Sequence, residues 1–104
     1  MSEAVMQQRQ KILIADDSAM NRDLLATILE DEYDIVQAED GVKAVDYLQK
    51  HAEEIALVLL DLVMPQMDGF EVLAYMNKER WIDYIPVIII SAEDSPAYIK
   101  RGYD

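Results

Sequence analysis

The hexapeptide Ile55–Leu60 (IALVLL) constrains the fold of this chain more than any other segment. Every position is apolar, so a strand built from it has two faces to shield from water. Such a strand needs cover on both sides, which is the arrangement of a parallel sheet between two helix layers. Three further runs read as strands of the same sheet: Lys11–Ala15 (KILIA), the shorter and more polar Tyr33–Ala38 (YDIVQA), and Ile85–Ile90 (IPVIII). The polar one belongs nearer a sheet edge, and Pro86 is tolerable at the start of the last.

Helical patterns alternate with these runs. After the first strand, Met20, Leu24, Leu25, Ile28 and Leu29 fall at helical spacing, with Ser18 placed to cap the helix. Asp40 caps a second helix whose inner face carries Val42, Val45 and Leu48. A third helix follows Gly69, with Phe70, Leu73 and Met76 facing inward, and Ser95-Pro96 signals a fourth. The order βαβαβαβα predicts right-handed crossovers and a doubly wound α/β fold with a parallel sheet. Neither repeats nor an internal boundary interrupt the pattern, so residues 10–104 read as one domain behind a leader of residues 1–9.

Composition narrows the chemistry. The chain has no cysteine, which excludes a thiolate zinc site, a disulfide framework and a thiol nucleophile. MSEAVMQQRQ lacks the apolar segment of a signal peptide, and the longest apolar runs are far too short to span a bilayer. A soluble cytoplasmic protein is the expectation. The formal net charge is −12, from 21 acidic and 9 basic residues. No Lys/Arg cluster is available to displace phosphate counterions, so direct nucleic-acid binding is not expected, and neither is an anionic membrane surface. Most of the carboxylates read as a solvated surface.

A few of them should converge. Open α/β sheets bind ligands at the carboxyl ends of their strands. Asp16 and Asp17 close the first strand, Asp61 the third and Ser91 the fourth. In a parallel sheet these ends share one rim, with neighbouring strands ~4.8 Å apart. Two carboxylates ~4 Å apart repel by about 4 kcal/mol at an effective dielectric near 20, and a hard dication liganded by oxygen offsets that. Each residue alone has a plainer explanation, since Asp-Asp after a strand is often only a helix cap and Ser91 could cap a turn. Independent caps, however, need not fall on adjacent strand ends.

From about Lys11 to the last residue the sequence resembles the receiver domains of two-component response regulators. The matching motifs are ILIADDS after the first strand, LLDLVMPQMDG around the third and PVIIISAE at the fourth. The resemblance implies a flavodoxin-like fold in which Asp61 accepts a phosphoryl group from a sensor histidine kinase or a histidine phosphotransfer protein, with Mg²⁺ as cofactor. It makes Asp17 a direct metal ligand, Asp16 a ligand through water, and the main-chain carbonyl of Val63 a third protein ligand. Ser91 corresponds to the hydroxyl that meets the bound phosphoryl group, Ala92 to a small residue that leaves the site open, and Met64-Pro65 and Asp68-Gly69 to the tight loop after the acceptor. Asn21 lies where family members vary and is placed to tune hydrolysis of the acyl phosphate. His51, the only histidine, is remote from the rim, so a phosphohistidine donor must come from another protein.

The pattern also departs from the family. Receivers continue into a fifth strand and helix, bringing a lysine and an aromatic switch residue that cannot be assigned here; Lys100, in the fourth helical pattern, does not take that role. The chain therefore reads as a receiver lacking the fifth βα unit, excised or naturally short. Phosphorylation is then expected to be slow or absent even where Mg²⁺ binds, and self-association as a homo-oligomer, a dimer in the simplest case, is expected through bare apolar surface. Met64 and Met67 flank the acidic loop, where core packing is a plainer role than contact with a kinase. Two other functions compete with this switch, which modifies itself and is not a conventional enzyme. A haloacid-dehalogenase-type phosphatase would need an acid where Asp61-Leu62-Val63 places Val63. An interaction module that never becomes phosphorylated is disfavoured by the three intact carboxylates and favoured by the missing fifth strand.

Overall fold

The computed structural model describes residues 9–90. Its elements run β1 (Lys11–Ala15), α1 (Ala19–Leu29), β2 (Asp34–Ala38), α2 (Gly41–His51), β3 (Ile55–Leu60), α3 (Gly69–Lys78) and β4 (Val87–Ile89), with short 3₁₀ turns at Ala52–Glu54 and Trp81–Asp83. The four strands form one parallel sheet in the order β2-β1-β3-β4. The polar β2 lies at an edge, where half of its surface can face water. The fold is the doubly wound α/β arrangement expected from the alternation of elements. The fourth helical pattern, with Ser95-Pro96, Tyr98, Ile99 and Lys100, lies outside the described residues.

The two faces of IALVLL part as a strand buried on both sides requires. Val58 and Leu60 join Leu13, Ala44, Val45, Leu48, Val72 and Met76 in the larger core under α2 and α3. Leu59, with Leu57 beside it, joins Ile12, Ile14, Leu25 and Leu29 under α1. Period-two alternation along β1 and β3 therefore feeds two separate cores. Fully buried side chains such as Leu13, Leu48 and Leu60 each contribute about 1.5–3 kcal/mol by leaving water.

Each helix keeps part of the inner face expected from the sequence pattern (Leu25 and Leu29, Val45 and Leu48, Leu73 and Met76) and turns other expected residues away from the core. In α1, Leu25 and Leu29 pack inward while Met20, Leu24 and Ile28 stay exposed. In α2 the buried stripe is Gly41, Ala44, Val45 and Leu48, leaving Val42 46% exposed. In α3 it is Gly69, Val72 and Met76, with Phe70 half-buried. One residue turns a helix by roughly 100°, so a neighbour of the buried stripe falls on its shoulder or beyond. Small residues, glycine and alanine, occupy the closest approach to the sheet, and a search for large apolar side chains passes over them.

β4 is shorter than its apolar run. Ile85 is fully buried but precedes the strand, and the carbonyl of Pro86 accepts from the Val58 N–H at 3.0 Å. Trp81 is buried and stacks on Tyr75 at 5.9 Å, whereas Tyr84 is exposed. Met64 is buried and Met67 packs against the larger core, so both methionines of the acidic loop serve packing. No helix among the described residues is long and apolar enough to cross a membrane.

Candidate functional site

β1 and β3 are neighbours in register, with Ala15 opposite Leu60. The next residue of each strand is an aspartate, so parallel pairing alone delivers Asp16 and Asp61 to the same rim. The Asp61 N–H donates to the Ala15 carbonyl at 2.9 Å, and the Asp16 N–H donates to the Ala38 carbonyl of β2 at 3.1 Å. Both acids are thus tied to the sheet through their backbones. Asp17 follows at the exposed mouth.

Oxygen atoms of Asp16, Asp17 and Asp61 all lie within 4.8 Å of one another. Asp16 is 2% and Asp61 7% exposed. At that separation and an effective dielectric near 20, the buried Asp16–Asp61 pair repels by about 3 kcal/mol when both are ionised. Three hard oxygen donors at this spacing, two of them shielded from water, fit a divalent cation of the Mg²⁺ or Ca²⁺ type and do not fit a soft metal. The convergence expected from the strand ends is therefore present.

Neighbouring groups hold these carboxylates in place. On Asp16, Oδ1 accepts from the Ser18 N–H at 2.9 Å and Oδ2 from the Asn21 side-chain amide at 3.3 Å. Its carbonyl accepts from Arg22 Nη1 at 2.7 Å, and Arg22 Nε reaches Gln37 of β2 at 3.0 Å. Ser18 caps α1 by accepting from the Asn21 N–H, so the first turn of α1 grips Asp16 from one side. Asp61 Oδ1 accepts from the Val63 N–H at 3.2 Å, which places the Val63 backbone beside the Asp61 carboxylate. Ser91 and Ala92 lie outside the described residues.

The loop after Asp61 is shaped by close approaches. Gln66 adopts a left-handed conformation (φ 68°). Asp68 caps α3 and forms a reciprocal capping box with Glu71. The Gly69 N–H donates to the Leu62 carbonyl, and a Cβ on Gly69 would lie 2.5 Å from the Asp61 carbonyl oxygen. A Cβ on Gly41, at the start of α2, would lie 2.0 Å from the Met67 carbonyl oxygen. These two glycines let the loop close against the end of β3 and the neighbouring helix. Arg22 and Gly41 drew no attention from sequence patterns. Nothing in the local pattern marks Arg22 as reaching the Asp16 carbonyl or Gly41 as touching Met67.

The opposite end of the sheet carries a separate polar cluster. Glu54 accepts from Lys11 Nζ and meets His51 Nδ1, each at 3.0 Å, with the Tyr47 ring 4.7 Å from the imidazole. The Lys11 ammonium, and after it His51, holds the Glu54 carboxyl below the usual range, and Glu54 in turn raises Lys11. His51, at the end of α2 and paired with Glu54, belongs to this cluster and not to the acidic centre.

Comparison with known proteins agrees with this architecture. The family model described as response regulator receiver domain matches residues 12–104. The response regulator GtcR of Aneurinibacillus migulanus is 39% identical over 84 residues, covering 80% of this chain and 33% of that protein. A probable cyclic di-GMP phosphodiesterase of Vibrio cholerae is 36% identical over 93 residues, 89% of this chain and 21% of the relative. The chain thus spans a third or less of these relatives. Among solved structures, the Vibrio cholerae chemotaxis protein CheY4 superposes with a TM-score of 0.78 at 28% identity, over 91% of this chain and 78% of that one. With its parallel sheet, its paired strand-end carboxylates and a family match over nearly all of its length, the chain belongs to the response regulator receiver domain family.

Proposed function

We propose that this receiver domain is a phosphorylation switch of a two-component phosphorelay, with Asp61 as the phosphoacceptor and Mg²⁺ as cofactor. The observation that supports this reading is the meeting of Asp16, Asp17 and Asp61 within 4.8 Å at adjacent strand ends. Asp17 and Asp61 would hold the metal directly, Asp16 would do so through water, and the Val63 carbonyl would complete the protein donors. When bound, Mg²⁺ neutralises charge on the phosphoryl oxygens as the group moves.

The chain's own residues supply the rest. The Asp61 carboxylate attacks the phosphorus of a phosphohistidine on a kinase or phosphotransfer protein, or of a small acyl phosphate. An oxygen–phosphorus bond forms as the bond to the donor breaks: from phosphohistidine the imidazole leaves and takes up a proton from solvent, and from an acyl phosphate the carboxylate leaves. The Val63 N–H on Oδ1 orients the acceptor. Burial of Asp16 and Asp61 limits bulk water around the acyl phosphate. Ser91 is assigned to hydrogen-bond the transferred group, with Ala92 leaving room for it. The event modifies the protein once per cycle, so the domain acts as a switch between partner states. We assign residues 10–104 to the receiver unit, residues 1–9 to a leader, and the protein to the cytoplasm.

Prolonged incubation with acetyl phosphate and Mg²⁺, followed by intact-mass measurement, tests the proposal. A gain of one phosphoryl group that disappears in Asp61→Ala is the expected result; an unchanged mass, together with no Mg²⁺-dependent amide shifts on adding beryllofluoride, contradicts it. Self-association is part of the same reading. Leu24, Ile28, Ile88 and Ile89 are 44–64% exposed, which favours a second copy as their cover. Sedimentation showing only monomer at high concentration would contradict that component.

A further inference from the structure

We infer that Asn21 is a positioning residue that sets the divalent-metal affinity of the acidic centre by fixing the Asp16 carboxylate. The inference deepens the metal-binding reading above and rests on it.

Asp16 is the most enclosed of the three acids, and water reaches almost none of it. Its terminal torsion joins sp³ and sp² carbons, which leaves a broad range of orientations unless both oxygens are held. Two donors hold them: the Ser18 N–H on Oδ1 and the Asn21 amide on Oδ2. The first belongs to the backbone and persists whatever side chain stands nearby. The second is the one side-chain donor that reaches this carboxylate among the described contacts, and it comes from a residue whose own N–H is held by the Ser18 cap. Asn21 is therefore fixed at its base and reaches back past the cap to the rim. It shares with Asp16 a cleft of about 210 Å³, walled otherwise by Leu24, Leu25 and Ile90. Little else in those apolar walls can replace the amide.

Two opposing effects follow from such a hydrogen bond. The amide stabilises the Asp16 charge in the metal-free protein, which taken alone would weaken metal binding. It also fixes the carboxylate in advance, which strengthens binding. An ionised carboxylate has about four acceptor sites, so the Asn21 bond can persist beside a metal-bound water, and the first effect cancels between the two states. Orientation then decides the sign. Partners that orient metal ligands in this way typically contribute 10–100-fold in affinity. Because Asp16 is assigned a water-mediated role, the low end applies, about tenfold.

The test is Mg²⁺ binding by the full chain, followed through amide chemical shifts of Asp61, Leu62 and Val63 during MgCl₂ titration, with no phosphodonor present. Asn21→Leu keeps the bulk of the side chain and its apolar surroundings but removes the donor, and Asn21→Ala serves should the leucine variant fail to fold. The expected result is an approximately tenfold higher Kd, measured where urea unfolding shows both wild type and variant to be fully folded. A double-mutant cycle separates positioning from a general structural role. In an Asp16→Asn background, Asn21→Leu should leave Kd unchanged, whereas a merely structural contribution would weaken binding in both backgrounds. Wild-type binding with equal Kd in the Asn21 variants overturns the role of Asn21 and leaves the metal centre standing. Absence of Mg²⁺ binding by the wild type overturns both.

Discussion

Replacing Gly41 by alanine should destabilise the domain and disturb the acidic centre, although intrinsic propensity points the other way. Alanine is favoured over glycine in a helix by up to about 1 kcal/mol, and Gly41 is the first residue of α2. Against this, the added methyl would sit 2.0 Å from the Met67 carbonyl oxygen and 2.8 Å from both its carbon and the Met67 Cβ. That is roughly 1.5 Å short of a comfortable non-bonded separation. The closest obstacle is backbone, which cannot swing aside as a side-chain tip can. Overpacking of this kind costs about 1–3 kcal/mol, and the upper half of that range applies, leaving a net loss of about 1–2 kcal/mol. The displacement also has a direction. Met67 leads into Asp68, which caps α3, and into Gly69, whose tight contact with the Asp61 carbonyl leaves no slack. Urea unfolding followed by fluorescence of the buried Trp81 should show the midpoint falling by about 1 M with an unchanged slope. A midpoint equal to or above that of the wild type would refute the close-approach argument.

Three further outcomes follow from the same structure. In EDTA, Asp61→Asn should raise the unfolding free energy by about 1 kcal/mol or more by relieving repulsion from buried Asp16, and with it the urea midpoint, and Mg²⁺ should stabilise the wild type more than this variant; a lower midpoint in EDTA would contradict the assigned repulsion. Leu13→Ala removes a fully buried side chain of the central strand β1 from the larger core and should cost about 3 kcal/mol in denaturant unfolding, with a loss below about 1 kcal/mol arguing against that core. Glu54 titrates below its ordinary value of 4.5, so its contribution is present above that pH and is lost as pH falls through the lowered value; Lys11 titrates above 10.5, so its contribution is present below that pH and is lost as pH rises through the raised value. Glu54→Gln should therefore flatten both limbs of the urea midpoint plotted against pH, and an unchanged profile would show that the pair contributes nothing.

The degree to which this fold was readable depended on whether the relevant interaction was local. IALVLL announced a strand buried on both faces, and the structure begins and ends β3 at the same residues. Ser18 and Asp40 were legible as caps because a cap is an interaction across three residues. The capping box of Asp68 and Glu71 has an equally local signature, although Asp68 fits the tight loop before α3 just as well. Helix faces were harder. Large apolar residues such as Leu24, Ile28 and Val42 stand on the shoulders, while Ala26, Gly41 and Ala44 approach the sheet, and hydrophobicity alone ranks these in the wrong order. The three strand-end aspartates could be placed on one rim from topology alone. What fixes them there could not be read so far ahead, since the Asn21 amide on Asp16 and the Gly41 contact with Met67 depend on how α1 and α2 dock.

The residue that carries the phosphoryl group decides whether the three aspartates form the proposed centre. Chain treated with acetyl phosphate and Mg²⁺ can be reduced with borohydride, which converts an aspartyl phosphate to homoserine, and then sequenced by tandem mass spectrometry. Conversion confined to Asp61, and abolished when EDTA replaces Mg²⁺, is the predicted result. Conversion at another aspartate, or conversion at Asp61 that proceeds equally well in EDTA, would contradict the proposed centre.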